Sequence, residues 1–231
     1  MVSILVGTSD FRAALASVLI HACTDKDLPA LARIRLDVGP ENVTVTATDR
    51  FSAGLAIVSV HSHLAPELEA IDLTVDDAGK ILALFKAGPE KGDEPQYLLR
   101  IDTTGEHVTI TDSSGMIDGR ALQLPRLDVD DSFTDVPRLF ARSVHSAPIL
   151  IEDMTVNGKL LARFKTAAAA YQKPVIIEAR AGIRSVLFRC GESFLGALMP
   201  VPLSESEYAE TRAWAQAWTR RLTDPTAEAT A

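Results

Sequence analysis

Apolar residues recur along the chain at two spacings, and the spacings alternate in a repeated order. Val2 to Val6 is a short β-branched run, which predicts a strand. Thr8-Ser9-Asp10 supplies helix-capping side chains. Phe11, Ala14, Leu15, Val18, Leu19 and Ala22 then fall on one helical face, and Asp25 to Pro29 ends the helix. Ala32 to Val38, Val43 to Thr48 and Ala53 to Val60 follow with strand character, the first two divided by the turn Gly39-Pro40-Glu41-Asn42.

The order then repeats. Ile71, Leu73 and Val75 alternate as a strand, and Asp76-Asp77 opens a helix with Ala78, Ile81, Leu82 and Phe85 on its apolar side. After a polar loop from Gly88 to Pro95, strands are expected at Tyr97–Ile101, Val108–Ile110 and Gly119–Leu124. A looser stretch, Pro125 to Pro148, precedes a third copy. That copy has a strand over Ile149–Val156 and a helix over Gly158–Tyr171 with Leu160, Leu161, Phe164, Ala168 and Tyr171 on one face. Strands follow at Val175–Ala179, Ser185–Arg189 and Phe194–Met199.

Three β-α-β-β-β units without a fixed sequence period predict an α+β fold, with helices on one face of mostly antiparallel sheets. Ser204-Glu205-Ser206-Glu207 has capping-box spacing. It opens a tail helix marked by Tyr208, Trp214, Trp218 and Leu222, suited at its end by Arg220 and Arg221 and stopped by Asp224-Pro225. The expected division is 1–140 for a complete two-unit domain, 141–203 for a single unit and 204–231 for the tail.

Composition changes this picture little: 231 residues, 47% hydrophobic and 23% charged, with a formal net charge of −8. A chain of this kind buries a core, and its acidity, taken alone, argues against a surface coated in phosphate-binding charge without excluding one basic face. Cys23 and Cys190 stand alone, as buried thiols of a reducing compartment do. No secretory leader and no apolar run of roughly 20 residues is visible, so a soluble cytoplasmic protein is expected.

Chemistry is sparse. No phosphate-binding glycine loop, nucleophile elbow or paired-histidine zinc motif occurs, and no cofactor is expected. His21, His107 and His145 lack ligand partners at useful spacing; His61-Ser62-His63 reads as an exposed loop pair rather than a metal site. Asp76-Asp77 reads as helix-start charge. The cations are more suggestive. Lys159, Arg163, Lys165 and Lys173 accompany the third helix with no acid between Gly158 and Lys173; Lys80 and Lys86 belong to the second, and Arg12 to the first. If the apolar stripes face the sheets, these seven face outward together, as a surface that meets phosphates without reading sequence would. The bland alternative is ordinary solvated helix residues.

Three local sequences resemble the bacterial DNA sliding clamp, the ring-type beta subunit of the replicative polymerase. Thr46-Ala47-Thr48-Asp49-Arg50-Phe51, with the strand through Leu55-Ala56, resembles a turn of that family's middle domain. Leu73-Thr74-Val75, Ile117-Asp118-Gly119-Arg120 and Phe133 to Phe140 resemble the second half of that domain and the crossover after it. Thr155 to Leu203, closing on Leu198-Met199-Pro200-Val201-Pro202-Leu203, resembles the last half-domain. Together these cover about residues 1–203.

The resemblance implies a non-enzymatic, oligomeric ring on duplex DNA. It would serve as a processivity factor for a DNA polymerase or other replication and repair proteins, which dock a short peptide in a sheet-side pocket. Position by position that pocket would use Leu31, Thr48, Arg50, Phe51, Arg138, Leu139, Ile183, Ser185, Met199, Pro200 and Val201. Leucine, phenylalanine and methionine make an adaptable apolar groove, although core packing accounts equally well for Leu31 and Ile183.

Departures are visible too. The third unit lacks a partner half, so either the second domain is half-sized or two chains complete each other. Ser52 and Ala53 stand where the family more often has Arg and Leu, Pro202 replaces a basic residue, and the chain continues past Leu203. A clamp-derived regulator that never encircles DNA is the competing reading, and Gln123-Leu124-Pro125-Arg126-Leu127 loosely resembles a clamp-binding peptide. An enzyme with an unrecognised site is a third.

Overall fold

A computed structural model describes residues 2–25, 27–63, 69–92, 94–127, 133–151 and 153–222. The first unit is β1 (Ser3–Gly7), α1 (Thr8–Leu19), β2 (Arg33–Val38), β3 (Asn42–Thr48) and β4 (Ser52–His63). The second is β5 (Glu69–Thr74), α2 (Val75–Leu84), β6 (Leu98–Thr103), β7 (His107–Asp112) and β8 (Ala121–Pro125). The units exchange their first strands: β1 pairs with β6, and β5 pairs with β2, both antiparallel. Each unit thereby completes the other's sheet, which buries the alternate side chains Ile34, Leu36, Ile71, Leu73, Leu99 and Ile101.

The third unit attaches to the first through the long strand β4. One edge of β4 pairs with β3 from Ala53 to Ser59. The other edge is divided, with Val60–His63 taking β1 and Ser52–Ala56 taking β12 (Phe194–Leu198). Beyond β12 lie β11 (Val186–Cys190), β10 (Val175–Arg180) and β9 (Pro148–Ile149). The expected strand over Ile149–Val156 is therefore nearly absent. Only Ile149 and Pro148 pair, with Ala179 and Arg180, because no other half-unit is there to lend a strand.

Two further expectations are corrected. The stretch Pro125 to Pro148 holds a helix, α3 (Val136–His145), started by the Asp135 side chain accepting from Arg138 N at 2.9 Å. Its Pro137 lies in the first turn, where a missing N–H costs nothing. The single helix expected over Gly158–Tyr171 is broken into α4 (Gly158–Leu161), a 3-10 turn (Ala162–Phe164) and α5 (Lys165–Tyr171). The last element is α6 (Glu205–Arg221), with the anticipated capping box complete at Ser204 and Glu207. Its expected stop at Asp224-Pro225 lies outside the described residues.

Helices α1, α2 and α5 form one layer over the sheets, α1 packing against both of the others. Phe11, Ala14, Leu15 and Val18 of α1 are fully buried, as their spacing predicts. Phe164 lies on this side against Phe188, the rings stacked at 3.8 Å. Helix α3 covers the opposite face of β4, β11 and β12, where Val136 and Phe140 meet Ala53, Leu55, Leu187 and Ala197. Burying each large side chain contributes on the order of 1.5–3 kcal/mol. The β4–β12 junction is thus fixed from both faces. His61 and His63 belong to β4 and not to a loop.

Candidate peptide groove and cationic helix face

The turn between β3 and β4 is built by Asp49. Its Oδ1 accepts from the backbone N–H of Phe51 (3.0 Å) and Ser52 (2.7 Å), and its Oδ2 meets the Arg163 guanidinium at 2.5 Å. Thr48 Oγ1 accepts from Arg50 N at 3.1 Å and donates to Ser52 O at 2.9 Å. Arg50 sits at φ 78°, in the left-handed region that costs most residues energy. These bonds hold it there and turn Phe51 outward, 56% exposed.

Behind the turn, Arg163 also donates to Ser52 Oγ at 2.6 Å, and Ser52 Oγ lies 3.0 Å from His21 Nδ1. His21 is completely buried beside Phe164 and Phe194. Burial, reinforced by the nearby Arg163 charge, depresses its pKa to about 4. A neutral imidazole fits this site, and access is closed to any substrate.

The chain returns to the turn after β12. Met199 N donates to Phe51 O at 2.8 Å, and Val201 N donates to Thr155 O at 2.8 Å. This places Met199 and Phe51 side by side as a ridge between two depressions. A shallow one is lined by Thr48, Arg50, Phe51, Ser52, Ala53, Leu139, Ser185, Ala197 and Met199. The other, a cleft of about 640 Å³, is lined by Arg50, Phe51, Met199, Pro200, Val201 and Pro202 on one side and by Asn157, Lys159, Leu160 and Arg163 on the other. Its lining is mainly apolar, with cations at its rim, which suits an extended segment with aromatic or aliphatic anchors and an acidic or carboxylate end.

Eight of the eleven pocket positions named from the sequence therefore converge on one continuous surface. The other three do not line either depression. Leu31 is buried, its carbonyl accepting from Cys23 N; Ile183 N donates to Arg180 O in the β10–β11 turn; Arg138 is exposed on α3 beside Leu139. Sequence reasoning did not place Asn157, Lys159, Leu160, Arg163 and Pro202 in the pocket; the start of α4 reaches it beside the Met199–Pro202 stretch, which Val201 N ties to Thr155 O.

The seven proposed DNA-facing cations divide similarly. Lys86, Lys159, Lys165 and Lys173 are exposed, and so is Lys80, which pairs with Asp77 at 2.7 Å. Arg12 and Arg163 do not face outward. The Arg12 guanidinium donates to the carbonyls of Leu82 and Phe85 at the end of α2, and Arg163 is committed to Asp49 and Ser52. Among the described residues no group of three potential metal ligands occurs, and no helix is long and apolar enough to cross a membrane.

No family model and no curated protein matches the sequence. Solved structures do match the fold. The DNA polymerase III beta subunit of Thermotoga maritima superposes with a TM-score of 0.61 over 91% of this chain and 67% of its own, at 13% identity. The chain has the sliding-clamp fold. The sliding clamp of Bacillus subtilis gives a TM-score of 0.61 at 10% identity, covering 87% of this chain and 64% of the clamp. That of Bartonella birtlesii gives 0.60 at 14% identity, covering 91% and 68%. The chain thus spans about two thirds of the length of these clamps. Swapped first strands, a helix layer on one side and strand pairing across β4–β12 are how this shorter chain realises the clamp fold.

Proposed function

We propose that the chain is a non-enzymatic clamp-type scaffold. Its groove around Phe51 and Met199 docks a short segment of a replication or repair protein, such as a DNA polymerase. Exposed lysines on and just beyond its helices, Lys86, Lys165 and Lys173, associate with duplex DNA without reading its sequence. The observation that carries this reading is the groove itself: an exposed phenylalanine and methionine, held by a rigid Asp49-centred turn, border a mainly apolar cleft in a clamp fold. Preorganisation matters because a turn already fixed loses little entropy on binding.

A fluorescein-labelled hexapeptide with two leucines and a terminal phenylalanine tests it by anisotropy. Saturable binding is expected, weakened at least tenfold (about 1.4 kcal/mol) by Phe51→Ala or Met199→Glu. Absent binding, or equal binding by the variants, overturns the groove.

A second reading, a clamp-derived regulator that does not encircle DNA, is favoured by one observation. Arg12 and Arg163 are turned inward, which leaves the helix layer fewer outward cations in a chain of net charge −8. Retention on closed circular duplex with loss on linearisation supports encirclement; no retention supports the regulator.

A further inference from the structure

We propose that α6 joins two copies of the chain through an antiparallel helix pair, an interface separate from both the groove and the sheet edges. Helix α6 buries none of its side chains. Tyr208 is 48% exposed, Trp214 and Trp218 58% each and Leu222 67%. Tyr208, Thr211, Ala215, Trp218 and Leu222 follow one another at spacings of three and four, a coiled-coil seam with Trp214 at its border. Large aromatic groups in such a seam gain from burial against a facing helix.

The occupant is argued from charge and length. Glu205, Glu207 and Glu210 cluster toward the start of α6 with no base among them; Arg220 and Arg221 close it, with Arg212 near the middle and no acid after Glu210. Antiparallel pairing of two identical helices sets each acidic end against the other's basic end, whereas parallel pairing sets like against like. The helix does not fill its own cleft: none of its residues lines it, and Trp214 and Trp218 stay exposed. Ala215 at the middle of the seam allows the two helices to approach closely.

The test is the mass of the full chain across a concentration series, by sedimentation equilibrium, with far-ultraviolet circular dichroism to confirm that each variant is folded. The expected result is a dimer of the 24.9 kDa chain that weakens at least tenfold in Trp214→Ala/Trp218→Ala. Glu210→Arg and Arg221→Glu each weaken it several-fold, and the double swap restores it. These two residues are about 16 Å apart along one helix, so restoration requires pairing between copies. A monomer at every concentration, or a dimer indifferent to the tryptophans, overturns the proposal. So does a dimer lost with Phe51→Glu but unchanged by the charge variants, which would seat the stripe in the other copy's cleft. Peptide binding in the groove is read separately, so either proposal can fail alone.

Discussion

Asp49 shapes the groove although it does not line it. Through two backbone N–H groups and Arg163 it sets the pose of Phe51. His21 supports the same network from inside, and its depressed pKa makes a prediction. In the unfolded chain histidine protonates near 6.5, while in the fold it stays neutral down to about 4. Between those values the unfolded state binds more protons, so the site's contribution is present above pH 6.5 and is lost as pH falls toward 4. The loss is on the order of 3 kcal/mol. Denaturant melts across this window should show the slope, and His21→Gln should flatten it. Sequence alone placed Thr48, Arg50 and Phe51 correctly beside Met199, through local resemblance. It misplaced Arg163, because helical spacing assumes 100° per residue. The 3-10 turn at Ala162–Phe164 advances faster, and it swings Arg163 inward, leaves Leu161 partly exposed and buries Ala167 in the apolar layer.

At the scale of elements, strands and helices were legible wherever local spacing and tertiary packing agreed. Helix α1 and the β2–β3 hairpin are examples. Helix α3 was hidden by Pro137 and by its sparse stripe of Val136, Phe140 and Ser143, readable only once a sheet face is known to need cover. The strand expected after Pro148 failed for the opposite reason: beyond Ile149 its described residues lie in no strand ladder. Packing between elements predicts the effect of single methyl groups. A Cβ on Gly196 of β12 would lie 2.3 Å from the Phe164 ring, which is itself stacked on Phe188. Gly196→Ala should cost about 1–3 kcal/mol, read as a lowered Tm. Gly79→Ala in α2, where nothing lies within 4 Å of the added carbon, should raise stability by about 0.5–1 kcal/mol.

For the whole molecule, the proposed function assigns two tasks: exposed lysines such as Lys86, Lys165 and Lys173 for phosphates, and the groove at the β4–β12 junction, bordered by Lys159 and Arg163, for a peptide. If the lysines meet phosphates, the triple variant Lys86→Ala/Lys165→Ala/Lys173→Ala should weaken duplex binding. It should also reduce the slope of log K against log salt by about 0.9 for each phosphate no longer neutralised. Arg163→Ala should instead lower Tm while leaving that slope unchanged, since its charge is spent on Asp49. What the sequence could not convey at this scale is the continuity of β12 with β4. It depends on pairing between strands far apart in the chain, Phe194 with Ala56 and Leu198 with Ser52, and no local pattern encodes it.

The groove is the centre of the account, and amide hydrogen exchange with and without the leucine–phenylalanine hexapeptide tests it most directly. Protection concentrated in Thr48–Ser52 and Met199–Val201, where Met199 N bonds Phe51 O and Val201 N bonds Thr155 O, is the predicted result. Protection elsewhere with none at these two segments would contradict it.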